Sequence, residues 1–443
     1  MRVSYILTAI LLLMAGQALA GQTLSVKEAI SRALEKNNLV RAAGFNATAA
    51  RQGVAVVASR YYPALSFEET LAASNAPTQT FMMKLDQGRF TQNDLGNLNH
   101  PNTVHDFKTQ FVLQQPLYLP SLAPLKKMAA KDAEKSELEL EATRQNIAFQ
   151  TFSLYLDLQK SVARLQAIDR SVSDARENLR LAKVRTAAGV GLRSDELRAG
   201  THHSLVEQQL ITFRNNLILA RMRLAIMIGL PEDTEFDIPA TPDKVSVPLQ
   251  SDETVRSALE NRIELKQSRT ELEKSAAAVR LAGSDYLPAL GAFASYQLNG
   301  KDAPFAADND AWAAGVTLKW QLFDGFRRDH ERYRAIAGRS AAQEMLENSL
   351  KDARYQIKES LLRREEAGKR LEVAFHARQD AEETVRLISK RFENSLSTMV
   401  ELLDAQTVLD QVRANLVETE ADHALAGGRV YYSSGTFVKE MLK

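Results

Sequence analysis

The chain contains no cysteine, which excludes a disulfide framework and any thiolate metal site. Its 12 prolines and 20 glycines are few for 443 residues, and they leave long stretches in which nothing interrupts a helix. Net charge is only +1, so no global field draws nucleic acid or an acidic surface; basic and acidic residues are interleaved, as on solvated helices. No apolar run reaches the ~20 residues of a spanning helix. The run from Ile6 to Met14, with Arg2 before it and Ala18-Leu19-Ala20 after it, reads as a signal peptide over residues 1–20, with the mature chain starting at Gly21. Without a following cysteine there is no lipobox anchor. A mature chain of this composition enters a membrane only as strands. His202 and His203 are neighbours and point to different helix faces, not the i, i+4 arrangement that binds zinc. Gly189-Val190-Gly191 lacks the preceding strand of a phosphate loop. No Ser-His-Asp set and no aromatic-interleaved basic stripe is present. The reading is of a non-enzyme with no catalytic residue, metal, cofactor or nucleic-acid partner.

What the chain does have is a duplication. Ala33-Leu34-Glu35 returns as Ala258-Leu259-Glu260, and Pro63 as Pro288, at an offset of 225; Leu117-Tyr118 returns as Leu322-Phe323 at 205, and Arg185 as Arg391 at 206. The offset falls between two strands, so the first copy carries the longer loop, and insertions of that kind are tolerated at exposed tips. The first repeat spans 21–229 and the second 251–435. Between them 230–250 is a linker with Pro231, Pro239, Pro242 and Pro248, expected as a belt outside the helices; a tail covers 436–443.

Each copy begins with a helix, Leu24 to about Arg60 in the first, and Pro63 and Pro288 mark the helix-to-strand junctions. The pattern then changes to period two. Leu65, Phe67, Leu71 and Ala73 alternate with Ser66, Glu68, Thr70 and Ser74, Glu69 being the exception on the apolar face. Phe107, Phe111 and Leu113 alternate with Lys108, Gln110 and Gln114, and Trp312 to Leu322 alternates throughout. Segments of about ten residues with aromatics toward the ends fit outer-membrane strands; a soluble antiparallel sheet with one wet face gives the same alternation. The strand hairpins lie at about 64–118 and 289–323. The loop from about Asn75 to Val104 is polar with embedded aromatics, and reads as a cap on the outer mouth, as a surface that meets phage and the outside world, or as an ordered lid without a partner. Long helical hairpins follow at about 124–229 and 326–432. Leu158, Val162, Leu165, Ile168, Val172, Ala175, Leu179, Ala182 and Thr186 form a heptad seam, matched by Leu346, Leu350, Ala353, Ile357 and their successors. Four strands cannot close in lipid, where each unpaired backbone group costs several kcal/mol. Two copies of the chain give eight strands and three give twelve; only the larger leaves an open interior.

The duplicated unit, Tyr62-Pro63-Ala64-Leu65 with Leu287-Pro288-Ala289-Leu290, the strand end Leu318-Lys319-Trp320-Gln321-Leu322-Phe323-Asp324-Gly325, and the turn Arg391-Phe392-Glu393-Asn394-Ser395 followed by Glu401-Leu402-Leu403-Asp404-Ala405-Gln406 together resemble the TolC family of outer membrane export ducts. The resemblance covers nearly all of the mature chain. It implies a mainly α protein with membrane β structure: duplicated α-hairpins forming a trimeric α-barrel in the periplasm, and four strands per chain in a 12-stranded barrel in the outer membrane of a Gram-negative cell. It implies a passive homotrimeric channel completing a tripartite efflux or type I secretion system. The partners are a periplasmic adaptor (membrane fusion protein), an inner-membrane pump of RND, ABC or MFS type, and outer-membrane lipid. The positions matching the family's periplasmic acidic rings are Glu401 and Asp404, with Asp195 their counterpart in the first repeat; a carboxylate at a helix N-terminus is the competing reading. The positions matching its adaptor-contacting tips are Val190, Gly191, Leu192, Ser395, Leu396 and Ser397. Ser397 stands where some members carry a gate-locking arginine. The alternative is a periplasmic coiled-coil adaptor or scaffold with a small soluble sheet.

Overall fold

The computed structural model describes residues 23–239, 251–306 and 309–443; residues 1–20, expected as a signal peptide, and residues 240–250 of the linker lie outside them. Two helices, α1 (Val26–Lys36) and α2 (Asn38–Ser59), lead to β1 (Ala64–Ser74), a short α3 (Pro77–Asp86) and β2 (Val104–Tyr118), then to the long α4 (Leu122–Ala187) and α5 (Arg193–Met227). The second copy follows as α6 (Ser251–Asn261), α7 (Ile263–Ser284), β3 (Ala289–Gly300), β4 (Asn309–Lys319), α8 (Arg327–Glu393) and α9 (Met399–Ser433), ending in α10 (Phe437–Met441). The element boundaries carry the sequence offsets: α2 and α7 start 225 apart, α4 and α8 start 205 apart, and α5 and α9 start 206 apart. At 66 and 67 residues, α4 and α8 extend about 100 Å each.

Two sequence expectations need correction. The single helix from Leu24 to about Arg60 is two. Asn37 leaves the helix at ψ 129°, its side chain accepts from the Leu39 amide at 2.9 Å to start the next helix, and it donates to the Met227 carbonyl at 3.2 Å. The last strand ends at Lys319 rather than Leu322. Beyond it the Gln321 and Leu322 carbonyls accept from Arg328 at 2.6 and 2.8 Å, so that backbone is held by a side chain instead of a ladder.

The chain divides into two compact units, each built from both repeats. The unit of Ala47–Ser136 and Ser268–Leu346 contains an antiparallel sheet in the order β1-β2-β3-β4. Its register puts the apolar sides of all four strands on one face. Phe67 pairs with Phe111, Phe111 with Tyr296 and Tyr296 with Trp312, an aromatic row from edge to edge. Below it Leu65, Leu113, Ala294 and Ala314 align. The other face aligns Glu68, Gln110 and Gln297, and Thr70, Lys108 and Asn299. Glu69, the apolar-face exception, accepts from the Thr109 hydroxyl at 2.6 Å.

The other unit holds up to Asn46, Glu137–Gln267 and Glu347–Lys443. Its main core joins Ile30, Ala33, Phe152, Tyr155, Leu224, Phe236 and Phe437. The Tyr155 hydroxyl donates to the Leu24 carbonyl at 2.7 Å. The first part of the linker belongs here: Leu24 donates to the Asp237 carbonyl at 2.8 Å and Gln159 to that of Pro239, also at 2.8 Å. The predicted seam of α4 is inward along its length, from Leu158 through Ile168, Val172 and Ala175 to Ala182.

Candidate gate and tip site

The two hairpin turns are built alike. In the first, Gly189 takes φ +74°, and the Val190 and Gly191 amides donate to the Arg185 carbonyl at 3.0 and 2.9 Å. A Cβ on Gly191 would lie 2.9 Å from the Arg185 backbone, so this turn needs glycine. In the second, Ser395 takes φ +62° at the position matching Gly189, and the Leu396 amide donates to the Arg391 carbonyl at 2.7 Å. Both turns present an aliphatic residue to solvent: Leu192 is 66% exposed and Leu396 67%, with Val190 beside them.

The three candidate carboxylates fall at the starts of the return helices and are not equivalent. Glu401 closes a capping box on α9: its carboxylate accepts from the Thr398 amide at 3.2 Å, and its amide donates to the Thr398 hydroxyl at 3.2 Å. The Ser397 hydroxyl also donates to it, and that bond, followed by the Thr398 amide, holds the Glu401 carboxyl below the usual range. Ser397 thus serves the acid instead of replacing an arginine lock. Asp404, one turn further on the same helix face, is exposed and makes no hydrogen bond or ion pair among the described residues. Asp195 sits half-buried in the first turn of α5, with Glu196 beside it paired to Arg193 at 2.5 Å. Pro63 and Pro288 each stand one residue before a strand begins.

Arg185 ties the turns together. Its guanidinium donates to the Phe392 carbonyl at 3.1 Å and the Ser395 hydroxyl at 2.8 Å, and lies 4.9 Å from the Phe392 ring centroid. Beneath it Ala182, Ala199, Phe392, Met399 and Leu402 bury one another. Arg391, its counterpart, clamps only its own turn through the Leu396 carbonyl at 3.2 Å.

Arg185 is also the last rung of a ladder that the apolar pattern concealed. Arg164 donates to Glu418 at 3.4 Å, Ser171 to Asp410 at 2.5 Å and Asn178 to Gln406 at 2.9 Å. The four donors on α4 are seven residues apart, so they form one stripe beside the apolar seam and add polar bonds to the hydrocarbon contact that α4 makes with α9 through Ala182, Met399 and Leu402. The available signal was the spacing of Arg164, Ser171, Asn178 and Arg185. Around Ser171 lies a cleft of about 460 Å³ lined by His202, Phe213, Asp410 and Arg413. Burial pushes the Asp410 carboxyl up and the His202 imidazole down, each opposing the charged form.

No described helix is long and apolar enough to cross a membrane; the sheet exposes apolar side chains along one face. Trp312 is 77% exposed there. Trp320, eight residues on, also faces out and donates to the Tyr286 carbonyl at 3.1 Å. The seven steps from Trp312 to the strand's end at Lys319 span about 23 Å, close to the apolar band of an outer-membrane barrel, about 25 Å.

The model of the family described as outer membrane efflux protein matches residues 29–230 and 254–436. Nodulation protein T of Rhizobium leguminosarum bv. trifolii is 24% identical over 292 residues, 61% of this chain and 59% of that protein; the chain thus spans about three fifths of that curated relative's length. Among solved structures, the outer membrane protein VceC of Vibrio cholerae superposes with TM-score 0.78 at 18% identity, over 93% of this chain and 96% of that one. The Campylobacter jejuni CmeC outer membrane channel does so with TM-score 0.79 at 15% identity, over 95% and 91%.

Proposed function

Since the chain belongs to the outer membrane efflux protein family, we propose that it is the passive outer-membrane duct of a tripartite efflux or type I secretion system. It acts as a homotrimer that receives substrate from an inner-membrane pump, of RND, ABC or MFS type, through a periplasmic adaptor.

The observation that carries this reading is the aromatic row across the open sheet. Phe67 and Trp312 sit at the same height on the two edge strands, and β1 and β4 each pair on one side only among the described residues. Unpaired edges are not tolerated in lipid. Joining β4 of one chain to β1 of the next, with the register stagger that a closed barrel requires, closes a ring by a head-to-tail interface. Three copies give twelve strands with an open interior, lined by Lys108, Gln110 and Gln297.

The helices support a neighbouring copy of the chain. α5 and α9 occupy equivalent places in the two repeats, 206 residues apart. On α9, Leu403, Val417, Ala424, Leu425 and Tyr432 are buried or half-buried; their counterparts on α5, Leu197, Ile211, Ile218, Leu219 and Ile226, are exposed. In this reading the face covered by the chain's own α4 in one copy is covered by a neighbouring subunit in the other. Glu401, Asp404 and Asp195 then approach the axis as three-fold rings near the tips, where repeated carboxylates favour cations. Leu192 and Leu396 are the adaptor contacts.

The test is purification of the mature protein from membranes. A heat-modifiable trimer that requires detergent and conducts ions in planar bilayers is expected. A water-soluble monomer overturns the duct and returns the chain to the scaffold class.

A further inference from the structure

The longer loop of the first repeat does not project away from the sheet; it folds back onto the polar face. Gln87, just past α3, is buried against that face. Its amide donates to the His105 carbonyl at 2.7 Å, the Asp106 carboxylate at 2.8 Å and the Gly300 carbonyl at 3.4 Å. Asp106 also accepts from Asn299 at 3.0 Å, and Asp106, Gln87 and Asn299 are each less than a tenth exposed. Asn309, at the start of β4, donates to the Asp86 carbonyl at 2.9 Å. A carboxylate that would otherwise face water is enclosed by two neutral amides, an arrangement that is costly unless every bond is made.

The loop is stiff. Phe81 and Phe90 meet edge to face at 4.7 Å, and Lys84 pairs with Asp94 at 2.5 Å. Lys84, and then Thr91, hold the Asp94 carboxyl down to about 2, so this brace stays charged at any physiological pH.

We propose that residues 75–103 form a lid lying inside the outer mouth of the duct, fastened by Gln87 to Asp106 and limiting the size of solute that passes. The proposal rests on the duct reading, which makes the polar face the lumen. It adds to the acidic tips a second constriction, one that acts by size where the tips act by charge. Because the fastening is a few hydrogen bonds around one amide, releasing it shifts the lid population about tenfold.

The absence of native cysteine allows two tests. A Cβ on Gly88 lies 3.4 Å from the Asn309 Cβ, about the separation a disulfide needs. The chain carrying Gly88→Cys and Asn309→Cys is expected to form an internal disulfide on mild oxidation in membranes. If both single-cysteine chains make trimers and the pair does not cross-link, the docked lid is overturned. Separately, Gln110→Cys places a thiol on the polar face below the lid. Intact cells are treated with N-ethylmaleimide and with a bulky polyethylene-glycol maleimide. Adding Gln87→Ala is expected to raise the bulky-to-small labelling ratio about tenfold. An unchanged ratio in detergent-resistant trimers overturns the lid and leaves the duct standing. A thiol that neither reagent reaches until the protein is denatured overturns the lumen assignment, and the lid with it.

Discussion

The acidic side chains near the tips separate charge from structure. Glu401 is both a carboxylate and the closing member of a capping box, and glutamine fills the second role equally well. Glu401→Gln should therefore lower cation selectivity in planar bilayers while leaving the thermal transition of the trimer in place; Glu401→Ala should lose both, because the first turn of α9 frays. Asp404→Asn, at a position with no bond to lose, should act on selectivity alone. If Glu401→Gln leaves selectivity unaltered, the acid is a cap and nothing more. The exposed leucines of the turns follow another logic. Their aspartate variants change stability by no more than ~0.5 kcal/mol, as surface substitutions do, so Leu192→Asp or Leu396→Asp should abolish export while trimers still form. Export at the wild-type rate would remove the adaptor assignment. In the cleft behind the tips, burial lowers the His202 pKa. Its contribution to stability is thus present above the ordinary histidine value of about 6.5 and is lost as pH falls through the lowered value. Asp410, raised by burial, acts in the opposite sense at lower pH, gaining as its carboxyl protonates. A trimer melting series from pH 7 to 5 should fall in wild type and fall less in His202→Gln; identical slopes would exclude the imidazole as the source.

At the scale of the element, one helix carries an apolar seam and a polar stripe side by side. Along α4 the apolar seam reads directly from sequence, since Leu158, Ile168, Val172, Ala175 and Ala182 recur at heptad spacing and are all buried. The strands were legible for the same reason: period two puts Phe67, Phe111 and Trp312 each on the apolar side of its own strand, and the register brings those sides to one face and the residues into a single row. The polar ladder was not legible. Arg164, Ser171, Asn178 and Arg185 resemble ordinary solvated residues until α9 supplies Glu418, Asp410 and Gln406 and the turn before it supplies Ser395, and no local rule names a partner more than 200 residues away. The fold-back of the loop after β1 was hidden similarly, because Gln87 has no local signature of burial. The break at Asn37 had one, an asparagine able to cap the next helix, outweighed by the apolar periodicity around it. The ladder makes a mechanical prediction. Arg185→Ala removes two hydrogen bonds and a ring contact between the turns, a loss of about 1–2 kcal/mol for charge-assisted bonds partly screened by water. That is enough to populate separated tips without unfolding the hairpins, whose cores are apolar. Single-channel recordings of Arg185→Ala should show longer or larger openings with helix content unchanged by circular dichroism.

The whole molecule adds a constraint that one chain cannot satisfy. Duplication gives each subunit two hairpins, but only one junction between them lies inside the chain, where α4 meets α9. In a closed ring the other junction, α8 against α5 of the next subunit, repeats it by pseudo-symmetry, and the offset of 206 near the tips states which residues meet. Ser171 and Asp410 are in contact within the chain; adding 206 to the first and subtracting it from the second gives Ala377 and Ser204, on α8 and α5. The two contacts are equivalent only if the subunits form a ring whose tips stay near six-fold arrangement. Ala377→Cys combined with Ser204→Cys in one chain should therefore yield, on oxidation in membranes, a ladder of covalent dimers and trimers that collapses to monomer on reduction. Each single variant should yield none at low reagent concentration. Cross-linking within a monomer would mean that α5 and α8 of one chain meet each other, and no cross-linking in intact trimers would mean that the subunit boundary departs from the intramolecular one. Intersubunit bonds at this pair would fix both the direction of the head-to-tail contact and the helix register across it, because a one-residue slip rotates a helix face by about 100° and carries the two sulfurs apart.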